Sequence, residues 1–251
     1  MSETIAEAIP AATLVLFRER GSVPELLFVE RSKAMVFAGG ALVFPGGRID
    51  PGDRALALEI GGDADDMAAR IGAIRETIEE VGVAIGLPPM APDILAKLRA
   101  ELHRGEALGA VLDDLRMTLD PSVLTAFARW LPAHAHMRIF DTRFYLAQLP
   151  ADAPEPLVDD TENVRVFWST AQDVLDDADA GRAHIIFPTR RNLERLAQFG
   201  SFAEAAANAA AYEIRAVTPW IETRDGADHL CIPEQLGYPV TSEAISAAMR
   251  G

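Results

Sequence analysis

From residue 72 to residue 83 the chain reads Gly-Ala-Ile-Arg-Glu-Thr-Ile-Glu-Glu-Val-Gly-Val, a pattern that reads as an amphipathic helix around which the rest of the chain is organised. At about 100° per residue, Met67, Ile71, Ile74, Ile78 and Val81 fall on one narrow stripe. Glu76, Glu79 and Glu80 fall on the opposite side, with Gly72 among them. Like charges at these spacings destabilise a helix by about 0.2–0.5 kcal/mol per pair, and clustered carboxylates resist ionising together. Arg75, one turn before Glu79, offsets part of that repulsion. A hard divalent cation offsets far more, because carboxylate oxygens are the ligands that magnesium and manganese prefer. Taken alone, three glutamates on a helix more often mark a solvated acidic face.

The stretch upstream changes the balance. Phe44-Pro45-Gly46-Gly47-Arg48-Ile49-Asp50 reads as a short strand broken by a glycine pair, the form needed where one backbone approaches another backbone or a ligand. Gly47 together with Arg75-Glu76-Thr77-Ile78-Glu79-Glu80-Val81-Gly82-Val83 resembles the signature of the Nudix hydrolases. That signature is a glycine, an acid, then R-E-U-x-E-E-x-G-U with U aliphatic. The second half matches at every specified position. The first half departs, because the usual spacing puts the acid eight residues before Arg75, where Met67 stands. Asp53 has the right spacing from Gly47, which implies a box split by an insertion after Asp53. Asp65 and Asp66 are rivals for the same role.

The resemblance extends further. Leu26-Leu27 followed by Arg31-Ser32, then Gly40, then Phe44 to Gly47, is similar in spacing to the motif that precedes the box in coenzyme A-type members, although Val36 stands where a basic residue is usual. The split box, a helical insertion and Arg138-x-Phe140-Asp141-Thr142-Arg143-Phe144 look most like the Nudix-19-type branch, whose members hydrolyse coenzyme A and its thioesters. The resemblance covers residues 10–200. It implies an α/β fold, the Nudix α/β/α sandwich with a mixed sheet, here enlarged by a helical insertion at about 84–129. Residues 8–215 would form the domain, with 216–251 as a C-terminal extension packed on it.

Composition narrows the partners. A net charge of −15 argues against non-specific nucleic-acid binding, which relies on lysine and arginine neutralising phosphates. The single Cys231 excludes an intramolecular disulfide and fits a reducing compartment, so the cytoplasm is expected. The first ten residues carry neither a basic region nor a long apolar run, so no signal peptide is expected. No stretch approaches the roughly 18 apolar residues of a membrane span. The expected partner is a small nucleotide-containing molecule, with neither nucleic acid nor membrane, and a homodimer stays open.

Along the chain, residues 11–18 and 25–31 read as strands, 32–40 as a loop, 41–44 and 47–50 as short strand segments, and 50–53 as a turn. The central helix is expected to start near 64–67 and stop at Gly82. Helical periodicity is read at 93–103, 106–116 and 121–129, and strand character at 138–147 and 162–168. Ser169 with Gln172, and Ser201 with Glu204, read as helix caps, residues 188–199 as a helix, and the tail from Tyr212 as strand and loop.

The resemblance assigns roles. Glu79 and Glu80 would ligate Mg2+ or Mn2+, with the Gly47 carbonyl beside them. Glu76 is either a further ligand or the base that activates a metal-bound water, and Arg75 would orient the glutamates. Arg31, Ser32 and Gly46 are the expected substrate contacts. Glu162, after a long loop, is a candidate extra carboxylate. His134 and His136 are read as surface or packing residues, and Trp130 and Trp168 as packing at strand ends.

Overall fold

The structure, a computed structural model, describes residues 8–35, 38–132, 139–151, 153–158, 163–224 and 226–248. Strand β1 (Ile9–Arg18) is its axis. Leu14 and Leu16 enter one buried cluster, while Val15 and Phe17 enter another. That alternation is what a strand covered on both faces requires.

The main sheet adds β2 (Glu25–Arg31), β3 (Leu42–Val43), β4 (Gly46–Arg48), β5 (Thr125–Trp130), β6 (Phe140–Gln148), β7 (Asn163–Ser169) and β8 (Ala216–Val217). Its path is β3-β2-β1-β6-β5-β8, with β4 paired to β1 and β7 to β2. The sheet is mixed. β1 runs parallel to β6 and antiparallel to β2 and β4. The edge of β1 away from β6 is shared: Ala11 to Thr13 pair with β4, and Phe17 and Arg18 with β2.

Helices cover both faces. On one side lie α1 (Pro51–Ile60), α2 (Ala64–Val81), α3 (Pro92–His103) and α4 (Leu108–Leu115), whose apolar residues join Leu14 and Leu16. On the other lie α5 (Ala171–Asp179), α6 (Phe187–Leu196) and α7 (Phe202–Ala210), packed on Val15, Phe17 and Phe28. The expected three-layer sandwich is therefore present. A small sheet of β9 (Trp220–Arg224), β10 (Ala227–Cys231) and β11 (Ser242–Ala244), followed by α8 (Ile245–Ala248), forms the tail. The tail engages the body through Val217, Ile232, Leu236 and Tyr238, whose hydroxyl accepts the Trp130 Nε1 proton at 3.0 Å.

Several expectations are corrected. Residues 50–53 open helix α1 rather than forming a turn: Asp50 is its N-cap, Pro51 its first residue, and Asp53 completes a capping box. The insertion splitting the box is thus this helix and the link to α2. The helical segment expected at 121–129 is a 3-10 turn at Pro121–Val123 followed by β5. β5 is an interior strand between β6 and β8; Ala126 packs on one core cluster while Phe127, Ala128 and Trp130 enter the other, and a register shift between Ala126 and Ala128 interrupts the alternation. Two helices, α3 and α4, remain of the insertion read at 84–129. The cap of α5 is Thr170, one residue after Ser169. Val36, His134, His136, Arg138 and Glu162 lie outside the described residues.

Helix α2 spans the expected stretch. The Asp63 side chain accepts the Asp66 N–H at 2.8 Å at one end, and Gly82, with φ of 68°, closes the other. It does not expose a solvated acidic side. Gly72, Arg75 and Glu80 are buried as well as the apolar stripe, because β4 and α1 pack against the face that carries the glutamates.

Candidate active site

Arg75 organises the last two turns of α2. The residue is 5% exposed, and nearly every direction of its donor fork is used. Nε donates to Asp53 Oδ1 at 3.0 Å and Nη2 to Asp53 Oδ2 at 3.0 Å, a bidentate pair. Nη2 also donates to the Arg48 carbonyl at 2.8 Å, and Nη1 reaches Glu76 Oε1 at 3.0 Å and Glu79 Oε1 at 3.2 Å. Burial works against the Arg75 charge, but the Asp53 hydrogen bond and the surrounding carboxylates outweigh it and raise its pKa.

Asp53 is 1% exposed and also accepts the Asp50 N–H at 2.9 Å. It reaches Arg75 because α2 presents Gly72 there: a Cβ on Gly72 would sit 3.1 Å from Asp53 Oδ2. The rivals are engaged elsewhere. Asp65 pairs with Arg54 at 3.2 Å, and Asp66 with Arg70 at 2.6 Å, with the Tyr145 hydroxyl at 2.8 Å and with Arg143 at 3.3 Å. Asp53 is therefore the counter-charge of Arg75.

The glycine pair of β4 meets the glutamates directly. A Cβ on Gly47 would fall 2.4 Å from the Glu76 carboxyl, and one on Gly46 would fall 2.4 Å from the Ala12 carbonyl. Only glycines let β4 lie between β1 and α2. The Gly46 N–H donates to Glu80 Oε2 at 3.1 Å. From the other side Asn163, buried at the start of β7, stands beside the Glu80 carboxylate and favours its ionised form. Arg31, at the end of β2, stands opposite Asn163 in the ladder, and its charge is felt by Glu80.

Crowding is legible in the carboxyl groups. Burial pushes Glu80 up to about 8, with the Glu76 charge adding to it and the nearby Asn163 amide and the Gly46 N–H opposing it. Burial likewise lifts Glu76 to about 7, against the pull of Arg75 and with the Glu79 charge adding. Glu79 is raised by burial and held back by Arg75. Among the described residues no three His, Cys, Asp or Glu side chains form a ready-made metal cage, since Arg75 draws Glu76 and Glu79 towards itself. The donor set nevertheless fits a hard divalent cation. It is all oxygen, partly desolvated and mutually repelling, and a 2+ charge among these groups converts repulsion into attraction.

The remaining expected contacts are distributed unevenly. Ser32 Oγ accepts the Ala34 N–H at 3.4 Å, a local turn contact, while Gly46 serves Glu80 with its N–H. In the downstream motif, Asp141 pairs with Arg129 and Arg143 with Asp66, so these residues brace β5, β6 and the start of α2. Asn163 escaped sequence reasoning. No motif marks it, and only its pairing across from Arg31 brings it to Glu80.

Comparison with known proteins places the chain in a family. The family model described as the NUDT19 Nudix domain matches residues 62–196, more than half of the chain, beginning after Gly47 and α1. A Nudix hydrolase structure from Alicyclobacillus acidocaldarius is similar at 30% identity with a TM-score of 0.72, covering 81% of this chain and 97% of that one. The Caenorhabditis elegans protein named "Putative nudix hydrolase 7" is 28% identical over 178 residues, covering 69% of this chain but only 56% of the relative's length. Nudix hydrolases act on pyrophosphate bonds in nucleoside diphosphate conjugates and generally use divalent metal ions. The chain belongs to the Nudix hydrolases, in their NUDT19-like branch.

Proposed function

We propose that this chain hydrolyses the pyrophosphate bond of coenzyme A or an acyl-coenzyme A, releasing adenosine 3′,5′-bisphosphate and a phosphopantetheine product. The observation that carries the hydrolytic part is the convergence of Glu76, Glu79 and Glu80 on Arg75 beside the Gly46-Gly47 strand. The coenzyme A part is supported by the spacing of Arg31, Ser32, Gly40 and Phe44 to Gly47, and by Arg31 standing beside the Glu80 carboxylate.

In the reaction a water oxygen bonds to one phosphorus while the bridging P–O bond breaks, its electron pair leaving on the other phosphate. Charge builds on non-bridging oxygens, and Mg2+ or Mn2+ bound by the glutamates would supply the counter-charge and a water of lowered pKa. Glu79 and Glu80 are the proposed ligands, with the Gly47 carbonyl. Glu76, whose carboxyl is raised to about 7, suits either a further ligand or the acceptor of the water's proton. Arg75 keeps Glu76 and Glu79 aimed, and Asp53 keeps Arg75 in place. Arg31 would hold the 3′-phosphate through its planar fork.

Residues 8–215 carry this chemistry in our reading, with 216–251 as an extension. The buried Cys231 suits the reducing cytoplasm. No helix among the described residues is long and apolar enough to cross a membrane.

The test is product release from coenzyme A, acetyl-coenzyme A, NADH, ADP-ribose and diadenosine polyphosphates with Mg2+ or Mn2+. Preferential cleavage of the coenzyme A species is expected. Brisk cleavage of another conjugate alone would sink the substrate assignment and leave the general phosphoanhydride hydrolase. Metal-independent binding of any of these without turnover would point instead to a ligand-binding module.

A further inference from the structure

Helix α2 ends at Val81, so Glu79 and Glu80 sit in its last turn, where carbonyl groups lack partners inside the helix and the backbone frays. Two of the three site carboxylates thus stand on the least secure part of their element. The Gly82 N–H reaches the Ile78 carbonyl at 3.0 Å; the next three carbonyls are all taken by groups from outside. Arg99 Nε donates to the Glu79 carbonyl at 2.8 Å, where His103 Nε2 also lies at 3.0 Å. Arg99 Nη2 donates to the Glu80 carbonyl at 3.0 Å, and the Leu157 N–H to the Val81 carbonyl at 3.0 Å. Arg99 Nη2 further donates to the Leu157 carbonyl at 2.9 Å, tying Leu157 to the same turn.

Arg99 and His103 belong to α3, in the helical insertion. They are spaced i,i+4 and share one face, while Leu98 and Leu102 beside them are buried in the core and fix how α3 is rotated. Helix α2 has no basic residue in its own last turn, so Arg99 brings the cation that a helix C-terminus favours.

We propose that Arg99 is a positioning residue for the carboxylate site: by capping the Glu79 and Glu80 carbonyls from the insertion, it holds the metal-ligating turn of α2 in register with β4 and with Leu157. This rests on the reading of Glu79 and Glu80 as metal ligands given above. It also gives the helical insertion a role in the chemistry rather than in enlargement of the fold.

The experiment uses the full chain, with Mn2+ as the probe and free Mn2+ counted by its paramagnetic resonance signal. Arg99→Ala is expected to raise the Mn2+ dissociation constant about tenfold, the lower end of what losing an outer support of a metal site costs. At saturating Mn2+ its substrate KM should stay within about twofold of the wild type. Millimolar guanidinium should restore part of the lost affinity. Arg99→Lys, which keeps the charge but cannot span three carbonyls, should fall between the two and serves as the reading should Arg99→Ala fail to fold. Wild-type Mn2+ affinity in Arg99→Ala, even with a lowered melting temperature, would reduce Arg99 to a structural cap and overturn the proposal. Glu80→Gln is the control: if it keeps wild-type Mn2+ affinity and turnover, the ligand assignment itself fails, a result separable from failure of Arg99.

Discussion

Replacing Glu80 by glutamine should make the metal-free protein more stable while removing its activity. The glutamine keeps the side-chain length, and its amide oxygen can still accept the Gly46 N–H that Glu80 now takes at 3.1 Å. What disappears is a charge. Glu80 is 6% exposed, and its carboxyl titrates at about 8 rather than its ordinary 4.5 because burial and the Glu76 charge oppose ionisation. A folded-state pKa above the unfolded one means that the native protein binds more protons across that window. Stability of the metal-free wild type should therefore fall as pH rises from about 4.5 to about 8. The full displacement corresponds to about 5 kcal/mol. Because Glu76 ionises against Glu80, part of that cost belongs to the pair, and on the order of 2 kcal/mol is a fair expectation for removing one member. In a chain of this size that is about 4–8 °C in melting temperature. Thermal unfolding in chelator should show Glu80→Gln above the wild type at pH 8.5, with the gap closing by pH 5. Added Mg2+ should raise the wild type far more than the variant, and turnover of the variant should fall by about a hundredfold or more. A variant no more stable than the wild type at pH 8.5 in chelator would refute the crowding argument. Near-full turnover with an unchanged metal response would refute the site.

Asp53→Asn leaves a buried guanidinium short of its carboxylate and should cost about 3 kcal/mol in urea unfolding, more than any exposed ion pair would; its loss of turnover at saturating metal should be smaller than that of Glu80→Gln. Gly47→Ala forces the Glu76 carboxyl away from β4 and should lower kcat on the order of a hundredfold, with circular dichroism unchanged. Arg31→Ala should raise KM for coenzyme A more than for its 3′-dephospho form, and an equal effect on both would separate Arg31 from that phosphate.

The central helix, its Gly82 stop and the glycine pair ahead of it were legible because each depends on nearby residues: a 3.6-residue period, a left-handed cap and a bare backbone. Strands β1 and β2 were legible for the same reason. Local signals failed where one pattern serves two structures. Asp50-Pro51-Gly52-Asp53 is as good a helix start as a turn, and α1 packing on α2 and α4 decided between them. Residues 121–129 are short enough for a helical spacing of apolar residues to be met by chance, and their place between β6 and β8 made five of them, 125–129, part of a strand. The active site divides the same way. By itself the sequence determined which carboxylates share a helix face. Only the tertiary structure decided that Asp53 neutralises Arg75, that Gly46 holds Glu80 with Asn163 beside it, and that Arg99 caps the turn beneath them. Those contacts join residues separated by 19 to 83 positions. Packing of whole elements against the core, which no local period encodes, is what brings such residues together.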